Sequence, residues 1–153
     1  MLKSYSNSSL GTFDECPRKF KFLKIEKVPT PERVAAHIYL GQVVHQILAR
    51  LYESVAQGKL LALETALAEY DAEWEKPARG AIVCMDESIA VDDYIASGRD
   101  ILTRYYNKYQ PFGGGMLLGI ERRIPLILDG TPFKFNAQID RLWKRHDGVV
   151  EIW

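Results

Sequence analysis

Two side chains in this sequence have the type and the setting to bind a divalent cation. Asp140 lies in the run Phe133 to Trp143, where Phe133, Phe135, Ala137 and Ile139 alternate with Lys134, Asn136, Gln138 and Asp140. That is the period of a strand with one apolar and one polar face. A carboxylate on a strand's polar face has a well-defined direction, as a metal ligand requires. His45 lies among Leu40, Val44 and Leu48, which recur at helical spacing, and its neutral imidazole can donate a lone pair to a metal. Each has a plainer reading: polar residues are common on the outer face of a sheet, and a helix histidine can simply be satisfied by a hydrogen bond. His37, near a helix start, and His146, beside a turn, have weaker claims.

Several other chemistries are excluded. No two histidines flank a glutamate as in HExxH, and Cys16 and Cys84 stand alone without the paired thiolates of a zinc finger. Gly113-Gly114-Gly115 lacks the Lys and Ser or Thr of a phosphate loop, and no GxGxxG occurs. The 153 residues are 47% apolar and 26% charged, which fits one globular domain over residues 1–153 and excludes a disordered tail. Lys and Arg total 20 and Asp and Glu total 20, so any nucleic-acid contact must come from local charge. The opening residues lack a signal peptide's apolar stretch, and no apolar run approaches the roughly 18 residues of a membrane span. With two isolated cysteines, these features lead us to expect a soluble protein of the cytoplasm without membrane contact.

The elements that must position His45 and Asp140 can be read along the chain. A Ser-rich opening, Ser6-Asn7-Ser8-Ser9, leads through a short helix to Cys16-Pro17-Arg18-Lys19-Phe20-Lys21-Phe22. Thr30 as N-cap and Pro31 at the first helical position open a long helix over 32–57, closed by Gly58. Further helices are expected over 61–74 and 86–109, with Pro77-Ala78-Arg79-Gly80 as the loop between them. From Leu61 to Arg99 nine acids face three bases, so this stretch is no DNA track. Strands follow over 118–128, 133–143 and 149–153, with turns at Asp129-Gly130 and Asp147-Gly148. The layout is α+β (mixed α/β), N-terminal helices followed by an antiparallel β-meander.

Three segments carry a family resemblance. Tyr5-Ser6-x-Ser8-Ser9-Leu10-x-x-Phe13-x-x-Cys16-Pro17-Arg18-Lys19-Phe20 resembles the opening of RecB-like nucleases of the PD-(D/E)XK superfamily. Leu40-Gly41-Gln42-Val43-Val44-His45 resembles their helical G-x-x-x-H motif, and Ala137-Gln138-Ile139-Asp140-Arg141 their G-x-I-D-R strand, with Ala137 replacing the usual glycine. The three occur in the family's order and span nearly the whole chain. The resemblance implies a partial restriction-endonuclease-like core in which His45 and Asp140 are catalytic ligands of Mg or Mn. It further implies a strand reading roughly E-I-I-D-Y-K, whose acid and lysine complete the site. Glu151-Ile152-Trp153 matches its start, and the acid and lysine would fall beyond Trp153, so the domain is expected to be incomplete at its C-terminus and inactive as this fragment. Glu151 falls three positions before the expected acid and alternates to the opposite face.

The resemblance implies a metal-dependent DNA nuclease, an exonuclease or DNA end-processing enzyme in recombination, repair or phage replication, with a helicase or recombination protein as partner. For DNA contact the candidates are Arg18, Lys19 and Lys21 beside Ser6 and Ser8, because clustered bases with hydroxyls suit phosphates. Arg122, Arg123, Arg141, Lys144 and Arg145 can add to them, and a solvated basic face is the plainer alternative. Tyr105 and Tyr106 offer either stacking surfaces or core. Glu121 either faces the cleft of Asp140 or pairs with a neighbouring arginine. In several branches of the family the cysteine matching Cys16 joins three others in an iron-sulfur cluster, which here would need a longer chain. The alternative function is a catalytically degenerate nuclease fold acting as a DNA- or protein-binding module.

Overall fold

The computed structural model describes residues 3–29, 33–77, 81–86 and 88–153. The chain runs β1 (Lys3–Ser6), α1 (Asn7–Glu15), α2 (Pro17–Phe20), a π-helical turn (Lys21–Ile25), β2 (Val34–Ala35), α3 (Ala36–Ala56), α4 (Leu63–Trp74), β3 (Ile82–Val83), α5 (Val91–Tyr109), β4 (Gly115–Ile127), β5 (Phe133–Arg145) and β6 (Val150–Ile152). It divides into two compact units, Met1–Pro31 with Glu121–Ile139, and Glu32–Ile120 with Asp140–Trp153. The mixed helical and strand content bears out the expected fold class.

In the second unit, α3, α4 and α5 pack against one another. Their apolar stripes meet in a core of Val43, Val44 and Ile47 from α3, Ala66, Tyr70 and Trp74 from α4, and Leu102 from α5. Ile47 and Tyr70 are wholly buried, and each such side chain contributes about 1.5–3 kcal/mol. Gly98 lets α5 approach closely, since a Cβ there would overlap the Tyr70 hydroxyl and Leu40. A second cluster joins Leu51 and Tyr52 of α3 and Tyr106 of α5 to Phe112 and to Trp143 of β5. This cluster fixes the helix that carries His45 against the strand that carries Asp140.

Several boundaries differ from the sequence expectation. Val34 and Ala35 are not helical: β2 pairs in parallel with β3, and the Val34 amide donates to the Ala81 carbonyl at 2.8 Å. Thr30 and Pro31, the expected helix opening, lie outside the described residues. The helix expected from residue 86 begins at Val91 because Asp86 is engaged in a turn, its carboxylate accepting from the Ser88 amide and hydroxyl at 2.8 and 2.6 Å. Asp93 instead caps the helix, accepting from the Ala90 amide at 2.9 Å.

In the first unit β1 pairs in parallel with β5, from Lys3 opposite Phe133 to Ser6 opposite Asn136, giving the order β1-β5-β4. The sheet is therefore mixed, whereas the sequence pattern alone suggests an antiparallel meander. Its hairpin closes with the Leu128 amide on the Phe133 carbonyl at 3.3 Å and with Gly130 at φ 73°, the backbone such a turn needs. In the second unit β6 pairs antiparallel with β5, Leu142 opposite Ile152 and Trp143 opposite Glu151. No helix among the described residues is long and apolar enough to cross a membrane.

Candidate metal centre

His45 sits on α3 immediately after the buried pair Val43 and Val44, so the helical turn brings its imidazole out of the core at the edge of the apolar stripe. Asp140 approaches from β5. His45 Nδ1 and Asp140 Oδ2 are 3.4 Å apart, with 58% and 47% of the two side chains exposed. A charge-assisted hydrogen bond between these groups would measure about 2.7–2.9 Å. Adjacent ligands of an octahedral Mg ion, each about 2.1 Å from it, lie about 3 Å apart. The nitrogen and oxygen donors, their spacing and their access to water therefore fit a hydrated divalent cation held jointly by His45 and Asp140.

The direction of Asp140 depends on a β-bulge. The amides of both Asp140 and Arg141 donate to the Trp153 carbonyl, at 2.9 and 3.3 Å, and the Trp153 amide returns a bond to Arg141 at 3.0 Å. Two residues of β5 thus oppose one residue of its neighbour, which interrupts the alternation and re-aims the side chains. Consequently Asp140 and Arg141, though consecutive, both reach residues of α3: His45 and Tyr52. Only one sequence signal hints at this, namely that Arg141 continues the odd-numbered apolar series of Ile139 and Trp143.

Arg141, expected on a DNA track, is 9% exposed. Its guanidinium donates to the hydroxyls of Tyr52 and Tyr105 and packs against the rings of Tyr52 and Trp153. A guanidinium so enclosed is not presented to phosphate, because the aromatic cluster competes successfully for it. Burial, reinforced by the Tyr105 hydroxyl, raises the Tyr52 phenol above its ordinary pKa, so it stays protonated. Tyr105 is thus occupied, and Tyr106 is core, its hydroxyl donating to the Leu61 carbonyl at 3.0 Å.

The basic N-terminal segment is largely partnered within itself. Lys19 pairs with Glu15 at 2.9 Å and Lys21 with Glu26 at 3.3 Å, while the Arg18 guanidinium lies 5.5 Å from the Phe22 ring centroid. These are exposed contacts that DNA phosphates can displace at little cost. Ser6 caps α1, its hydroxyl accepting from the Ser9 amide at 3.3 Å and lying 3.1 Å from the Ser8 hydroxyl. Ser6, Asn7 and Ser8 line a polar cavity of about 520 Å3 together with Arg123, Asn136 and Gln138. Sequence spacing gave no sign that Arg123, Asn136 and Gln138 join the serines, because β1 pairing with β5 brings them there.

Other candidates have structural partners. Glu121 accepts from the Gln138 amide, not from an arginine, and holds a left-handed backbone at φ 46° that is unusual for its type. His146 Nε2 is 2.8 Å from the Gly113 carbonyl oxygen. Arg145 pairs with Asp147 at 2.6 Å and Glu151 at 3.6 Å. Cys16 begins α2, its sulfur accepting from the Lys19 amide at 3.4 Å, and with Cys84 it makes two thiols where a cluster generally needs four.

No curated protein and no solved structure matches the chain significantly. Residues 4–153 match the model of the PD-(D/E)XK nuclease superfamily, whose nucleases use divalent metals and act on DNA. Since the match covers all but the first three residues, the chain belongs to the PD-(D/E)XK nuclease superfamily.

Proposed function

We propose that this chain is the RecB-like part of a DNA nuclease, in which His45 and Asp140 hold Mg or Mn. The observation that carries the reading is their 3.4 Å approach at a solvent-accessible edge, in a chain matched to a metal-dependent nuclease superfamily over residues 4–153. Such a cation supplies Lewis acidity, which makes water nucleophilic near neutral pH and offsets charge on the phosphate. Asp140 and His45 contribute its ligands and their fixed direction. Residues 1–153 serve as one nuclease-like domain of an exonuclease or end-processing enzyme, working in the cytoplasm with a helicase or recombination protein on DNA.

DNA contact is supported by the polar cavity of Ser6, Asn7, Ser8, Arg123, Asn136 and Gln138, which offers hydroxyl, amide and guanidinium donors to a phosphate. Arg18, Lys19 and Lys21 add exposed charge from α2 and the turn after it.

The test is incubation of the 153-residue protein with single- and double-stranded DNA, with and without Mg or Mn. The expected result is binding weakened in Arg123→Ala and by added salt, with any hydrolysis dependent on the metal at His45 and Asp140. Metal-dependent hydrolysis that persists unchanged in Asp140→Ala would overturn the assigned ligand. DNA binding with no metal affinity would favour the degenerate binding module.

A further inference from the structure

His45 and Tyr52 are seven residues apart on α3, two helical turns, and so lie on one flank of that helix. Asp140 and Arg141 are consecutive on β5 and share the Trp153 carbonyl through the bulge. The same helix and strand are therefore linked twice, by His45 with Asp140 and by Tyr52 with Arg141. The first link joins two side chains about half exposed, and such contacts hold little by themselves. The second is buried, with Tyr52 at 5% and Arg141 at 9% exposure.

The second link is costly and directional. Burying a guanidinium is unfavourable unless its charge and its N–H groups are compensated. Here the compensation is aromatic: the guanidinium carbon lies 4.5 Å from the Tyr52 ring centroid and 4.6 Å from that of Trp153. Nη1 donates to the Tyr52 hydroxyl, and to the Tyr105 hydroxyl at 3.0 Å, while the two hydroxyls are 2.8 Å apart. No carboxylate pairs with Arg141 among the described residues, and its Nε has no partner. A planar fork packed against two rings and hydrogen-bonded to two hydroxyls restricts the angle between strand and helix more than an aliphatic side chain of the same volume would.

We propose that Arg141 is a positioning residue for the metal centre: locked onto Tyr52 and Tyr105 from within the bulge, it holds Asp140 within ligand distance of His45. This inference rests on His45 and Asp140 being the ligands. Lysine at 141 would keep the charge and lose both the stack and the fork, so it does not replace arginine.

The test measures Mn(II) affinity of the 153-residue protein by electron paramagnetic resonance, alongside circular dichroism and thermal melting. The proteins compared are wild type, Asp140→Ala, Arg141→Met, Arg141→Lys and Tyr52→Phe. The expected result is Mn(II) affinity lowered about tenfold or more in Arg141→Met, Arg141→Lys and Tyr52→Phe, with unchanged circular dichroism. Arg141→Met should melt no lower than wild type, since replacing a buried charge by an apolar side chain is often neutral or stabilising. Tyr52→Phe, which removes one hydroxyl, keeps the test valid if Arg141→Met does not fold. Variants that bind Mn(II) like wild type, while Asp140→Ala does not, overturn the positioning role alone. Wild type binding no better than Asp140→Ala overturns the ligand reading and the positioning role with it.

Discussion

His45 Nδ1 faces Asp140 Oδ2 across 3.4 Å, one carried by α3 and the other by β5. A cation bound by both ties helix to strand in the folded protein and has no equivalent site in the unfolded chain. Folding stability should therefore rise with metal concentration, by about 2.7 kcal/mol when the free ion is a hundredfold above its dissociation constant. Thermal melts in Mg or Mn should shift upward in the wild type and stay flat in Asp140→Ala. An equal shift in both would mean that the ions act elsewhere.

Gly98 is expected to resist substitution. In an exposed helix, Gly to Ala stabilises by up to about 1 kcal/mol, yet at 98 the added methyl would overlap the Tyr70 hydroxyl and Leu40. Gly98→Ala should destabilise by about 1–3 kcal/mol in urea unfolding, because the phenol is wholly buried and has nowhere to retreat. A stabilised Gly98→Ala would contradict the close packing of α5 on α4.

Glu73 makes stability depend on acid. It is 6% exposed and accepts from Lys76 at 2.7 Å, Arg50 at 2.8 Å and Gln46 at 2.9 Å. The Lys76 bond first, and then that from Arg50, hold its carboxyl below the usual 4.5 despite burial. A depressed folded-state pKa stabilises the fold above about pH 4.5, and that contribution is lost as pH falls through the folded value. Glu73→Gln should lower stability at pH 7 by about 1–3 kcal/mol and flatten its decline below pH 4.5. Parallel pH profiles for the two proteins would refute this.

Ser6 and Ser8 separate capping from DNA contact. Ser6 shares a reciprocal cap with Ser9, the Ser6 amide donating to the Ser9 hydroxyl at 2.8 Å, whereas among the described residues the Ser8 hydroxyl meets that of Ser6 alone. Ser6→Ala should cost about 1 kcal/mol of stability, and Ser8→Ala less than about 0.5 kcal/mol. Both should weaken DNA binding if the cavity they line receives a phosphate. Weakened binding in Ser6→Ala alone would assign that loss to the cap.

Legibility in the sequence followed the range of the interactions. The stripe from Leu40 to Val55 revealed α3, and the alternation from Phe133 to Ile139 revealed β5, because each element buries one face of its own local pattern. The G-x-x-x-H and I-D-R resemblances point to His45 and Asp140, which the fold brings to 3.4 Å of each other. The bulge, the burial of Arg141 and the parallel pairing of β1 with β5 were not legible. Each depends on a partner far away in sequence: Trp153 for the bulge, Tyr52 and Tyr105 for the guanidinium, and Phe133 to Asn136 for β1. Charge type alone suggests DNA contact for Arg141, and charge type does not reveal whether an aromatic cluster encloses it.

The most direct measurement is calorimetric titration of Mn(II) into the wild-type protein, His45→Ala, Asp140→Ala and the double variant. Joint ligation predicts one site in the wild type, a large loss in either single variant, and little further loss in the double, the non-additivity expected of two ligands on one ion. Equal affinity in all four proteins, or losses that simply add, would contradict a metal shared by His45 and Asp140.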